Sequence, residues 1–449
     1  MTTSHDAVAG EATIAGETWR DCFGAVMAAV ADCFPRRESR LLAREMAQAM
    51  LMGLESRNCW TLAEAMGHGS PSRLQHFLSR GVWDHNGVRD RMAAWTAGEL
   101  ADSDAVLIVD ETGDEKSSTD AVGAAHQYSG ALGGVGLCQV AVHLTYASPR
   151  GHALIDRALY LGTDWARDEE RRLLTHVPDA IEFSTKPQLA AGMLRRARTL
   201  GVEARWLAGD EVYGGRDLRR CARELAFDYA VAVRADHTVA TPAGGFTANA
   251  LARRLPRQAW MRMRTGHGLK GDRHYDWAWI GVLADDAPEP GNRVEDGHSV
   301  LVVRRHRFTG ELSFYRCHSA IPVTLADLVH VICTRWRVEE DFQLAKGATG
   351  LDQGQVTCWN SWMRWSLLSL LAAAVLTVTL ARTTPTTGSS DLIPVSAREL
   401  LTLLRITALP LPNRDTDHAL HWSAWRRRHQ AVAQACHQRW NNITAAAAT

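Results

Sequence analysis

The sequence predicts a mixed α/β protein with an N-terminal helical domain, a β-rich insertion and a helical C-terminal tail. Three observations carry that prediction. Residues 17–100 place apolar side chains at helical spacing. Two short strand runs, VLIVD ending at Asp110 and WLAGD ending at Asp210, are followed by alternating helical and strand segments. From about 235 to 322, Gly and Pro recur among short β-rich runs such as YDWAWIGVLA and HSVLVVRRHRF.

Taken in order, LLAREMAQAMLMGL (Leu41 to Leu54) has one apolar helical face, and TLAE from Thr61 reads as a capping box. GHGS (Gly67 to Ser70) breaks that second helix. Ser70 and Pro71 then form an N-cap and first-turn proline, opening a helix to Arg80 that Gly81 ends. Leu74, Phe77 and Leu78 face inward there, and Ser72, Arg73, Gln75, His76 and Arg80 face out. Two short helices across a Gly-containing turn suit a helix-turn-helix DNA reader or a plain helical hairpin. The first 100 residues carry 10 basic against 12 acidic side chains, so charge does not choose between them.

Strands follow at Ala105 to Thr112, Gln139 to Ala147 and His152 to Leu161, the last two turning at SPRG. A helix from Pro187 ends at Gly201. A strand (Ala204 to Asp210), a helix (Gly215 to Leu225) and a strand (Asp228 to Arg234) complete this section. The expected organisation is a helical domain over 1–100, a mixed α/β domain over 101–234 and 323–382, a β-rich insertion over 235–322, and a linker with a basic helical tail over 383–449. Leu325 to Ala348 reads as one helix. The apolar stretch Leu367 to Leu380 contains Ser369, Thr377 and Thr379 and is short for a bilayer, so it reads as a buried helix. TTPTTGSS (Thr383 to Ser390) reads as a linker.

Composition bounds the function. The chain has 449 residues, 50 basic and 50 acidic, with 46% hydrophobic and 22% charged residues. That is ordinary globular composition and excludes a disordered chain, a small disulfide scaffold and a bulk polycation. Nucleic-acid affinity must therefore come from local patches. Residues 251–275 hold seven bases (Arg253, Arg254, Arg257, Arg262, Arg264, Lys270 and Arg273) against one acid, Asp272. The tail segment HWSAWRRRHQ (His421 to Gln430) has Arg426, Arg427 and Arg428, and no acid follows His418. Either region suits DNA phosphates or a solvated face. The nine cysteines are scattered without a Cys-x-x-Cys pair, which points to a reducing compartment and away from a zinc finger. No basic start with an apolar run marks a signal peptide. Only four of the 50 bases are lysine, and Lys116, Lys186, Lys270 and Lys346 all fall in motif-like segments.

The chemistry concentrates at three places. Asp110 and Asp210 each end a buried strand, where ligands gather in open α/β sheets. Two carboxylates there, with no arginine beside them in sequence, call for a cation, and hard oxygen donors favour Mg2+ or Mn2+. In RWRVEEDFQLAK, helical spacing sets Arg335, Glu339, Phe342 and Lys346 on one face at steps of four, three and four. A surface ion-pair ladder would read the same way.

With these pieces together, the chain resembles the DDE transposases of bacterial insertion sequences. Within them it is similar to the insertion sequence 701 family, related to the hairpin-forming cut-and-paste group. The motifs are LIVDETGDEK with VGAAHQYSGALGGVGLCQVAVHLTYAS, WLAGDEVYG, and a Tyr-x2-Arg-x3-Glu-x6-Lys signature in which Arg335, Glu339 and Lys346 match and Ile332 takes the tyrosine position. FSTKPQLA, GDRHYDWAW, KGATGLDQGQV and HWSAWRRRHQ extend it from about Cys33 to Arg439.

The resemblance implies an RNase H-like catalytic domain in which Asp110, Asp210 and Glu339 are catalytic and hold two divalent ions, Mg2+ or Mn2+. It implies phosphoryl transfer at the terminal inverted repeats of double-stranded DNA, a synaptic homodimer and a bacterial cytoplasmic, nucleoid-associated location. Arg335 and Lys346 would grip phosphates, with Lys116, Lys270, Arg273, Arg73, Arg426 and Arg427 as further DNA contacts. Glu111, Glu211 and Glu340 are set aside, Glu111 because strand alternation turns it away from Asp110. Trp277 and Trp279 could stack on an unpaired base or sit in the core. A transposase-derived DNA-binding regulator is the alternative, prompted by Ile332 and by His126 where arginine is usual.

Overall fold

A computed structural model describes residues 2–268, 271–288, 297–383 and 393–447. The architecture is mixed α/β, with one large mixed sheet and helices packed on it. The strands are β1 (Val106–Glu115), β2 (Ala125–Ser129), β3 (Gly134–Ser148), β4 (Gly151–Leu159), β5 (Trp206–Gly209), β6 (Asp228–Val233), β7 (Thr238–Thr241), β8 (Gly244–Thr247), β9 (Met261–Gly268), β10 (Gly271–Gly281), β11 (His298–Arg305) and β12 (Leu312–Ser319). Their order in the large sheet is β2-β3-β1-β5-β6-β12-β11-β10-β9, with β4 also paired to β3.

The strand runs form where expected because they are apolar on both faces, Val106 to Val109 and Trp206 to Ala208 being almost fully buried. β1, β5 and β6 are parallel to one another, while β1–β3, β3–β4 and β6–β12 are antiparallel. The β-rich segment does not build a sheet of its own. Its strands β9 to β12 continue the main sheet beyond β6 and remove what would be an open edge. Among the described residues, β7 and β8 form a separate hairpin.

Helix Trp359–Thr383 is the axle of the molecule. It is apolar all round, the pattern of a fully surrounded helix. By length and composition it could cross a membrane, yet 78% of its most apolar window is buried inside the protein. Helices Thr2–Ala29, Arg37–Leu51, Ser72–Ser79, His85–Glu99 and Ala397–Thr407, together with β4, pack around it. Arg364, buried on this axle, donates to the carbonyls of Phe77 (3.3 Å), Leu78 (3.0 Å) and Trp83 (3.4 Å), which fastens the end of helix Ser72–Ser79 to the core.

Two helix starts differ from expectation. The capping box lies three residues earlier: Asn58 is the N-cap of helix Cys59–Ala65, and the Thr61 hydroxyl answers it by accepting from the Asn58 amide. The next helix begins at Ser72, after Pro71 rather than Ser70, with no side-chain cap. Its inward face is Leu74, Phe77 and Leu78, and Ser72, Arg73, Gln75, His76 and Arg80 are exposed. The expected single helix over 325–348 is three pieces: Leu325–Thr334, Arg337–Leu344 and a π-helical turn Ala345–Thr349. The linker at 384–390 lies outside the described residues.

The basic tail is a docked helix. Thr416–Ala447 lays its first half across the N-terminal hairpin. Trp422 donates to the His68 carbonyl at 2.8 Å, and His421 and His418 bond the carbonyls of Gly69 and Glu64. Trp60 meets Trp425 edge to face at 4.9 Å. The two ends of the chain thus form one surface unit.

Candidate active site

Parallel pairing of β1 with β5 sets Val109 opposite Gly209, so the residues that follow stand side by side: Asp210 just past the end of β5, and Asp110 within β1 rather than at its end, because β1 runs on to Glu115 through its pairing with β3. Asp110 is 7% exposed. Burial pushes its carboxyl up to about 7, against the pull of Arg335 and with the Asp210 charge adding to the rise. Burial also raises Asp210, helped by the charge of Glu111. Asp210 is held in place by its own turn. Its Oδ1 accepts the Val212 amide at 2.9 Å, and Gly214 behind it presses on β6 so closely that a Cβ would sit 2.2 Å from the Ala232 carbonyl oxygen.

The third component arrives from the broken helix. The break at Arg335 and Trp336 aims Arg335 at β1, where Nη1 donates to Asp110 Oδ2 at 2.8 Å. Phe342 meets His143 edge to face at 5.3 Å, and His143 is the cross-strand neighbour of Asp110. Lys346, on the π turn, donates to the Gly113 carbonyl at 3.1 Å and lies 3.1 Å from Asp114 Oδ1. The predicted stripe therefore lies along the Asp110 face of β1 and β3. Glu339 lies on the first turn of helix Arg337–Leu344, one turn before Phe342, beyond the break that separates it from Arg335. Glu340 points elsewhere, paired with His152 (3.2 Å) and Arg337 (2.6 Å).

Among the described residues, no three His, Cys, Asp or Glu side chains converge closely enough to hold a metal ion. Asp110 and Asp210 are brought together, with Arg335 on the oxygen of Asp110 that faces the helix. The donor set they offer is hard oxygen without thiol or imidazole, which fits Mg2+ or Mn2+. The sequence put no arginine beside either aspartate; the fold supplies one across 225 residues.

Sequence reasoning missed two groups around β1. On the far face, Glu111 accepts from Tyr213 at 2.5 Å and Lys186 at 2.6 Å. On the near face, Asp114 sits between Lys346 and Lys116, with Asp352 adding its charge; burial raises the Asp114 carboxyl and lowers the Lys116 ammonium. Asp114 was findable, because residues four apart on a strand share a face. Three of the four lysines thus gather at β1, and Lys270 lies outside the described residues.

The other expected DNA contacts are spread over the surface. Arg253, Arg254, Arg257, Arg262, Arg264 and Arg273 are all exposed near the β9–β10 edge. Arg73 is exposed, with Nη1 3.4 Å from His68 Nδ1. Arg427 is exposed, whereas Arg426 is paired with Glu64 at 2.6 Å. Trp277 is fully buried, a core residue, while Trp279 is 40% exposed.

His152 on β4 anchors the Glu339 helix. Its Nδ1 meets Asp341 at 2.8 Å and its Nε2 meets Glu340 at 3.2 Å, and Thr145 donates to Asp341 at 3.0 Å. Burial opposes protonation of His152, but the charge and hydrogen bonds of Asp341 and Glu340 win and raise it to about 9. A histidine raised in the folded state stabilises fully below its ordinary value of 6.5 and loses that contribution as pH climbs through about 9. The rise corresponds to roughly 3 kcal/mol. His152→Gln is expected to lower urea stability at pH 6 by up to that amount and to approach the parent at pH 10. A deficit that does not change with pH would exclude the ion pair as its source.

A family model described as DDE superfamily endonuclease matches residues 29–268, more than half of the chain and inclusive of Asp110 and Asp210. A probable transposase for insertion sequence element IS701 from Microchaete diplosiphon is 26% identical over 182 residues, covering 40% of this chain. The chain spans 44% of the length of that curated relative. Among solved structures, a piggyBac transposase synaptic complex with hairpin DNA aligns at 9% identity and a TM-score of 0.41, over 87% of this chain and 80% of that one. On the match over residues 29–268, the chain belongs to the DDE superfamily endonucleases.

Proposed function

We propose that the chain is a DNA transposase that cuts and joins double-stranded DNA at the terminal inverted repeats of an insertion sequence, working as a homodimer in the bacterial cytoplasm. The observation that carries this reading is the buried Asp110 and the partly buried Asp210 side by side on neighbouring parallel strands, with Arg335, just before the helix that bears Glu339, bonded to Asp110. Acids side by side on neighbouring parallel strands of a mixed sheet support an RNase H-like core for residues 101–234 and 323–382. Asp110, Asp210 and Glu339 would hold two divalent ions, Mg2+ or Mn2+. When bound, such ions supply activation of the attacking oxygen and charge neutralisation at the leaving oxygen.

The chain's own residues would do the rest. Arg335 and Lys346 orient phosphates beside the acid pair, Arg335 through its fork and Lys346 as a point charge. The N-terminal hairpin, with Arg73, and the docked tail, with Arg426 and Arg427, would bind the element's end as a unit. Lys116, Lys270 and Arg273 would add contacts along the flank. A regulator without cleavage is not favoured, because both acids are present and stand together, Asp110 buried and Asp210 partly so.

The test is a nicking assay on linear DNA carrying the inverted repeats that flank this coding sequence. The expected result is Mg2+-dependent cleavage at the repeat ends and none with EDTA. Tight end binding with no metal-dependent cleavage would overturn the enzymatic reading.

A further inference from the structure

Three carboxylates of β1 are each matched by a cation of the chain. Asp110 holds Arg335 at 2.8 Å, Glu111 holds Lys186 at 2.6 Å and Asp114 holds Lys346 at 3.1 Å. Both oxygens of Asp110 are committed, Oδ2 to Arg335 and Oδ1 to the Glu111 amide at 2.8 Å. Asp210, alongside, has no arginine or lysine partner of its own among the described ion pairs. One guanidinium therefore serves two neighbouring acids, Asp110 buried and Asp210 partly buried. A divalent ion shared by those acids would lie close to that guanidinium. Like charges this close repel, and the double charge of the ion strengthens the repulsion. The guanidinium and the ion exclude each other.

We propose that Arg335 is a resident counter-cation of the acid pair, standing where a divalent ion will act and displaced when it binds. This rests on the reading of Asp110 and Asp210 as metal ligands. Displacement frees Arg335 just before the helix that bears Glu339, where the nearest new anion is a DNA phosphate. Metal binding and end binding then strengthen each other, each by the same factor.

The test uses the full-length, DNA-free protein and Mn2+ alone, with free Mn2+ read by electron paramagnetic resonance. Removing an ion pair of this exposure is worth about 1 kcal/mol, so Arg335→Gln is expected to bind Mn2+ about fivefold or more tightly than the parent. Arg335→Lys, which keeps the charge, is expected to stay near the parent. Should Arg335→Gln fail to fold by thermal melting, Arg335→Met is a second uncharged variant of similar length. Unchanged or weaker Mn2+ binding in the uncharged variant overturns the proposal while leaving the active-site reading intact. Mn2+ binding that survives Asp210→Asn unchanged overturns the active-site reading itself, and this proposal with it.

Discussion

Asp110→Asn is expected to lower DNA cleavage by about a thousandfold or more and, in metal-free buffer above pH 7, to melt higher than the parent. The activity loss follows from removing one carboxylate that would bind metal, a contribution of several kcal/mol to the transition state. The stability gain follows from burial, which pushes the Asp110 carboxyl from 3.8 to about 7 even with Arg335 attached. For an acid raised in the folded state, ionisation opposes folding. The penalty is absent below about pH 4, grows as pH rises toward 7, and is constant above it. Its upper size is roughly 4 kcal/mol. Asparagine keeps the shape and never ionises, so the two proteins should converge near pH 4 and separate by pH 8. Cleavage retained in the variant, or a lower melting temperature at pH 8, would sink the assignment of Asp110 as the strained catalytic acid.

The largest expected loss of stability lies away from the acids. Asp286 is fully buried and accepts from Arg219 at 2.8 Å, from Arg223 at 3.0 Å and from the Tyr229 hydroxyl. Its neighbour Asp285 takes Arg219 through both oxygens, at 2.7 and 2.9 Å, and Arg316 at 2.9 Å. Two adjacent aspartates after β10 thereby clamp three buried arginines from helix Arg216–Glu224 and β12. Breaking a buried ion pair by removing one partner costs about 3–5 kcal/mol, because the other charge stays buried and uncompensated. Asp286→Ala is expected to lose that much in urea unfolding, with no change in the DNA contacts of the folded fraction. A loss under about 1 kcal/mol would mean that water reaches the arginines.

These two positions mark what the sequence could and could not reveal. Asp110 and Asp210 were legible because each ends an apolar run, which is a local signal, although β1 continues past Asp110 to Glu115 and only Asp210 stands at a strand end. The stripe of Arg335, Phe342 and Lys346 was legible because helical spacing survives even where the helix breaks. The break itself was not: nothing in the run from Leu325 to Ala348 announces the kink that aims Arg335 at Asp110. Asp285 and Asp286 were invisible, since their partners lie more than 30 residues away in sequence and the pairing is set by how β12 lies beside β6. The continuation of the sheet by β9 to β12 was missed for the same reason. Strand content is local, but the choice of a neighbour is tertiary. The misplaced cap at Thr61 was a smaller error, in which two good capping residues three apart competed and Asn58 won.

The position of helix Trp359–Thr383 at the centre of the early helices has a consequence for biosynthesis. Helices that end by Glu99 find their packing partner only some 260 residues later in the chain. At typical rates of translation, roughly 5–20 residues per second, they would wait about 15 to 60 s on the ribosome with their apolar faces uncovered. A message broken or frameshifted before Trp359 would yield a product that chaperones and proteases take up, not a folded fragment able to occupy DNA ends in place of the intact protein.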